Sequence, residues 1–106
     1  MQESEFTHKV EQTLEALENA LDDVEGDIDY EITGGVLTVD FENGSTMVFS
    51  RQLANSQLWV ATRSGGYHFN YDAAEDDWRC TRSGQLFKPF VHAEMLAQGG
   101  VVLELE

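Results

Sequence analysis

Residues 16–32 read ALENALDDVEGDIDYEI, and within this stretch the spacing of apolar residues changes from that of a helix to that of a strand. Upstream, Phe6, Val10, Leu14, Leu17 and Leu21 recur every three or four positions, the spacing of one buried face of an amphipathic helix. The pattern predicts a helix over 4–24, with Ser4 as its N-cap and Gly26 as its stop. Downstream the period is two. Ile28, Tyr30 and Ile32 lie on one side and Asp27, Asp29 and Glu31 on the other, as in a half-buried strand.

Outward from that switch the chain reads as a meander of short strands. Gly34 and Gly35 break the first strand, VLTVDF resumes the alternation, and Asn43-Gly44 turns it into TMVFSRQ. QLWVATR, GYHFNYD and DWRCTR follow, separated by SGG and AAEDD. Residues 85–98 carry a second helical pattern through Leu86, Phe90, Val91, Met95 and Leu96, stopped by Gly99 and Gly100. Pro89 belongs in a first helical turn, which moves the start of this helix toward Lys88, after a turn carrying Leu86 and Phe87. The tail VVLELE is extended and offers Val101, Leu103 and Leu105 to the helices. The expectation is a single domain over 1–106 in the α+β class: a two-layer sandwich with two helices on one face of an antiparallel sheet of about six strands.

The net charge of −14 over 106 residues argues against nucleic acid and anionic membrane as partners, since both require a cationic face. It favours cations or a basic protein, and between like copies it favours a monomer. The charge is uneven: residues 1–31 hold eleven acids and one base, Lys9. One cysteine, Cys80, forms no internal bridge, and no signal peptide or membrane-spanning run is seen, so a reducing cytoplasm is the expected compartment.

Glu11, Glu15, Glu18 and Asp22 form a second helical stripe, about 100° from the apolar one, that runs toward Asp23, Glu25, Asp27, Asp29 and Glu31. Like charges at this spacing cost a few tenths of a kcal/mol per pair, and anions at a helix C-terminus oppose the macrodipole. Stability alone would not select this arrangement, although a solvated face that maintains solubility is the plainer reading. Carboxylate oxygens suit hard cations such as Fe2+, Fe3+, Mn2+, Mg2+ or Ca2+. Along a strand Asp27, Asp29 and Glu31 stand about 6.5 Å apart, too far for a closed cage, so weak and exposed sites are expected. His8 lies one turn before Glu11 and offers a nitrogen donor at the patch edge, although an exposed histidine without a ligand role is the plainer reading.

With Leu58 and Val60 inward, alternation directs Gln57, Trp59 and Ala61 outward, while inward Tyr67, Phe69 and Tyr71 leave His68 and Asn70 outside. An exposed tryptophan among hydrogen-bonding groups is the composition of an interface anchor. Catalysis is poorly supplied: Cys80 alternates with Trp78, so both face the core, and no serine–histidine pairing is suggested. The chain is not expected to be an enzyme.

SEF at 4–6, LDD at 21–23, GGVLT at 34–38, FENGS at 41–45, RQ at 51–52, QLWVAT at 57–62, GGYHF at 65–69 and RSG at 82–84, taken in order, give a sequence that resembles the bacterial frataxin family along essentially its whole length. The resemblance implies an α-β-α chain with both helices on one sheet face. It implies weak binding of iron, as Fe2+ and Fe3+, at an acidic ridge comprising Glu15, Glu18, Asp22, Asp23, Glu25, Asp27, Asp29 and Glu31, with His8 as a further ligand. It also implies binding to the cysteine desulfurase and the scaffold protein of iron–sulfur cluster assembly, as an iron-dependent brake or iron donor. The family's sheet tryptophan falls on Trp59, with Arg51, Gln52, Gln57, His68 and Asn70 around it as the partner surface. The chain departs from the family at Ser50, where Asn is usual, in a shorter acidic loop, and at Pro89. Two readings of other classes compete: an acidic module or nucleic-acid mimic that blocks a basic partner without metal, and a ferroxidase, which would need two buried Glu and two ExxH motifs, a full set the chain lacks.

Overall fold

The computed structural model describes residues 2–24 and 26–105. Helix α1 runs Glu3–Asp22 and buries Phe6, Val10, Leu14, Leu17 and Leu21, the apolar stripe read from the spacing. Its ends differ from expectation. Gln2, in extended conformation, is the N-cap and Ser4 lies inside the first turn; no side chain caps this end. The helix closes at Asp22 with Asp23 as C-cap, ahead of Gly26. Asp22 and Asp23 repel each other and the helix C-terminus, a physical reason for helix to stop before the glycine.

Six strands follow: β1 Ile28–Thr33, β2 Val36–Phe41, β3 Thr46–Gln52, β4 Gln57–Thr62, β5 Gly65–Asp72 and β6 Asp77–Cys80, before helix α2 at Phe87–Gly99. Each strand pairs antiparallel with the next, in the order β1-β2-β3-β4-β5-β6. Gly34 and Gly35, with φ of 60° and 79°, supply the two left-handed residues of the β1–β2 turn. The Asn43-Gly44 signal also makes a hairpin, but over three residues. Phe41 N donates to Ser45 O (2.9 Å), only Gly44 takes positive φ (87°), and Asn43 Oδ1 accepts from Ser45 N at 2.9 Å.

Both helices cover one face of the sheet. Between the layers lie Leu37, Val39, Met47, Phe49, Leu58, Val60, Phe69, Trp78 and Cys80, in contact with Phe87, Phe90, Val91 and Met95 of α2. Phe69 meets Phe87 and Phe90 edge-on at 5.5 and 5.1 Å, and Phe6 of α1 meets Trp78 at 5.9 Å. Trp78 Nε1 donates to Thr13 Oγ1 (2.8 Å), so the largest core residue has its one polar atom satisfied by the helix that covers it.

Helix α2 starts at Phe87 with Pro89 in its first turn, as the proline requires. Its N-terminus receives a long-range cap: the buried Asp77 carboxylate accepts from Lys88 N (3.1 Å) and from Trp78 N (2.9 Å), placing an anion at the positive end of the helix. The apolar pattern misassigned one position. Leu96 is exposed, and Gln98 is buried in its stead. Gln98 Nε2 donates to Thr46 O (3.0 Å), its Oε1 accepts from Arg63 N (2.9 Å), and its carbonyl accepts from Asn43 Nδ2 (2.7 Å). One side chain thereby ties the end of α2 to two hairpins. The extended tail packs as expected, with Leu103 buried, Val101 and Leu105 against the core, and His92 Nδ1 donating to Leu103 O at 2.9 Å.

Gln98→Ala strands the Thr46 carbonyl and the Arg63 amide together, and is expected to lower stability by about 2 kcal/mol. Urea unfolding followed by tryptophan fluorescence checks this, and a midpoint unchanged at equal slope would show that water replaces both bonds.

Candidate functional site

The acidic stripe of α1 reaches the sheet at a single seam. Tyr30, on the helix-facing side of β1, donates its phenol to Asp22 Oδ1. That bond pushes the phenol up to about 12, with desolvation and the negative charges of Asp22 and Glu18 acting in the same direction. Glu18 stands one turn before Asp22 on the same stripe of the helix. Glu15 lies two turns before Asp22 on the exposed surface. His8, fourteen residues from Asp22 on the same helix, is displaced from it by about 21 Å of rise, so the two belong to separate ends of the stripe.

The remaining acids diverge. Asp23, one helical step around from Asp22, lines a groove with Ala16, Asn19, Ala20 and Glu104, on the flank of α1 that faces the C-terminal tail. Asp27 precedes β1 and lines a cleft with Glu42, the last residue of α2, Gly99, and its C-cap, Gly100. Asp29 and Glu31 project from the open face of β1: in the register Asp29 stands opposite Asp40 and Glu31 opposite Thr38. Glu25 lies outside the described residues. The expected ridge is therefore a band of carboxylates wrapped around the α1–β1 corner, with its members on four local surfaces.

Among the described residues no three His, Cys, Asp or Glu side chains are grouped closely enough to hold a metal ion together. The donor chemistry nevertheless fits a hard cation, since the side chains here are exposed carboxylates. Such a site offers one or two protein oxygens, with water completing the shell.

The open sheet face carries the second candidate surface. Ser50, Trp59 and His68 form one cross-strand row and Gln52, Gln57 and Asn70 the next. Gln57 Nε2 donates to Asn70 Oδ1 at 3.1 Å, and the rings of Trp59 and His68 are 6.5 Å apart. Trp59 is on the expected face but half-buried, because its indole lies down over Gly66, where a Cβ would come within 3.2 Å of Nε1. Arg51 separates from this group. It pairs with Leu58, a core residue, so register places it on the helix-covered face, where its guanidinium lies over Gly35.

Two residues of the site escaped the sequence reading. Alternation gives Tyr30 a packing role alone, whereas in the structure its hydroxyl joins the two acidic elements. Asp40 was overlooked, although the two-residue Gly34-Gly35 turn fixes the β1–β2 register and with it the Asp29–Asp40 pair.

A family model described as the Frataxin-like domain matches residues 1–101. The chain is 43% identical over 106 residues to the iron-sulfur cluster assembly protein CyaY of Stutzerimonas stutzeri, covering all of this chain and 96% of that protein. It is 44% identical to the protein of the same name from Ectopseudomonas mendocina, with the same coverage. The solved structure of frataxin from Psychromonas ingrahamii superposes with a TM-score of 0.90 at 31% identity, over 98% of this chain and 97% of that one. Yeast frataxin shares the fold, with a TM-score of 0.66 at 21% identity over 90% and 80% of the respective chains. With that match of sequence and topology, the chain belongs to the frataxin-like family, alongside the bacterial CyaY proteins.

Proposed function

We propose that this protein serves iron–sulfur cluster assembly as a non-catalytic, iron-binding adaptor in the cytoplasm, a single frataxin-like domain that docks on the cysteine desulfurase and scaffold and modulates cluster formation. The observation that carries the reading is the seam at Tyr30, whose hydroxyl joins Asp22 of the acidic α1 stripe to β1, the strand that carries Asp29 and Glu31 on its other face. The family and its relatives' printed role supply the pathway. Iron here is cargo or signal. Glu15, Glu18, Asp22, Asp29 and Glu31 offer its oxygens, Asp23 and Asp27 extend the field, and no step is asked of these residues beyond holding a hydrated cation.

The same carboxylates attract a basic partner, and Trp59 with Gln57, His68 and Asn70 supplies the adjoining anchor on the open sheet. Iron held at the acidic corner lowers the charge the partner meets, so the two binding events are thermodynamically coupled. Screening weakens the protein contact, with a Debye length of about 8 Å at physiological salt. The acidic mimic without metal is the competing reading, supported by the net charge alone.

An NMR titration with anaerobic Fe2+ separates the two readings. Broadening confined to residues 15–31 supports the adaptor, and a flat response to iron with retained binding to the desulfurase leaves an electrostatic docking surface only.

Neutralising Glu18 and Asp23 (E18Q with D23N) is expected to raise the melting temperature by relieving repulsion, a few tenths of a kcal/mol per pair. Asp22→Ala is expected to lower it, because Tyr30 loses its acceptor. Calorimetric scans of the variants check both signs.

Trp59→Ala is expected to weaken desulfurase binding by about 2 kcal/mol while the fold is retained, since the indole sits on the face away from the core. Titration calorimetry reads the loss, and unchanged affinity would remove Trp59 from the interface.

A further inference from the structure

The two edges of the sheet are finished differently. At β6 the outer edge is covered: Cys80 N donates to Gln85 O (2.8 Å), and Arg79 pairs with Leu86 in an isolated bridge. At β1 no segment takes that place among the described residues. Thr33 and Val36 close a two-residue turn and are therefore a hydrogen-bonded pair, and such pairs alternate along an antiparallel ladder. Asp29 and Glu31 consequently direct their main-chain groups to β2. Ile28, Tyr30 and Ile32 direct theirs away from the sheet.

The edge combines three properties: main-chain donors and acceptors at every second residue, apolar Ile32 left 39% exposed, and acidic side chains at the positions between. A strand added here would meet Asp29 and Glu31 as non-hydrogen-bonded pairs, in which Cα atoms approach to about 4.5 Å and side chains are closest. Basic residues at alternate positions of the incoming strand would then lie against Asp29 and Glu31. They would also offset the repulsion between Asp29 and Asp40, which stand opposite each other across β1 and β2. A second copy of the chain does not suit the edge. Antiparallel two-fold pairing centred on Asp29, Tyr30 or Glu31 sets carboxylate against carboxylate at least once, which is how natural edges avoid self-association.

We propose that β1 is a strand-addition site for an extended protein segment with lysine or arginine at alternate positions, bound by main-chain hydrogen bonds to Ile28, Tyr30 and Ile32 and by ion pairs to Asp29 and Glu31. The inference deepens the adaptor reading, and rests on it for the partner's basic character. Sequence choice by such a segment comes from the alternation, because contiguous charges would turn half of their number to the wrong face.

The test uses the acetylated, amidated peptide Lys-Val-Lys-Val-Lys-Val-Lys, added to the labelled full-length protein, alongside the same peptide N-methylated at its valines. Methylation removes the donors that face β1 and keeps the charge. The expected result is slower amide exchange at Ile28, Tyr30 and Ile32 with the first peptide, and affinity for the second lower by at least about tenfold, the effect of losing one to two main-chain hydrogen bonds. Equal affinity for both peptides would overturn strand addition while leaving the acidic corner as a docking surface. Binding of neither would overturn strand addition and the basic-partner reading together. Protection of the same amides by self-association, read from translational diffusion without peptide, would assign the edge to a second copy and overturn the proposal.

Discussion

The burial of one stripe of α1 against one face of the sheet governs the rest of this molecule. Phe6, Val10, Leu14, Leu17 and Leu21 must be dry together, which sets the rotation of the helix about its own axis. Everything else on α1 then takes its direction from that rotation. The stripe through Glu11, Glu15, Glu18 and Asp22 is turned to the β1 flank, and Asp23, one residue farther, falls on the opposite flank near Glu104. Had the apolar register shifted by one residue, a different carboxylate would meet Tyr30.

The sheet imposes a matching constraint. Because both helices cover the same face, alternate residues of every strand are committed to a core, and the others form an open surface of small, polar and half-buried groups centred on Trp59. The two surfaces of functional interest thus adjoin at β1, an edge strand whose acids belong to the open face and whose Tyr30 belongs to the helix side. Polar anchors hold this geometry at the ends of the layers: Asp77 at the start of α2, Gln98 at its finish, and Thr13 against the indole of Trp78. Each satisfies groups that would be costly to bury alone.

The charge accumulated at the corner opposes folding and is retained nonetheless. Surface carboxylates that repel one another are tolerated when they are solvated, and here those in the described part of the band are exposed or half-buried, none fully enclosed. Their exposure is also why any cation they hold keeps much of its water. Affinity at such a site is limited by the number of protein oxygens that can converge, and the divergence of Asp23, Asp27 and Asp29 limits that number.

Local pattern determined a great deal in this chain. The three-and-four spacing marked α1, the period of two marked the strands, Gly34-Gly35 and Asn43-Gly44 marked the first two turns, and Pro89 marked the first turn of α2, because each expresses a preference that acts within a few residues. Gly65-Gly66, expected in a turn, instead opens β5, and Arg63 and Ser64 turn the chain. The inward and outward faces of β4 and β5 followed from alternation alone. What tertiary structure decided are matters of long-range partnership. Gln98 replaced Leu96 in the core because two hairpins happened to present a carbonyl and an amide to it. Asp77 became a helix cap eleven residues away in sequence from the amide it accepts. Arg51 was turned from the Trp59 surface by its pairing with Leu58, and the single acidic ridge was spread over four surfaces by the rotation between Asp22 and Asp23 and the alternation of β1. Periodicity reports which side of an element is dry, whereas which residues meet across elements depends on how those dry sides are set against each other in space.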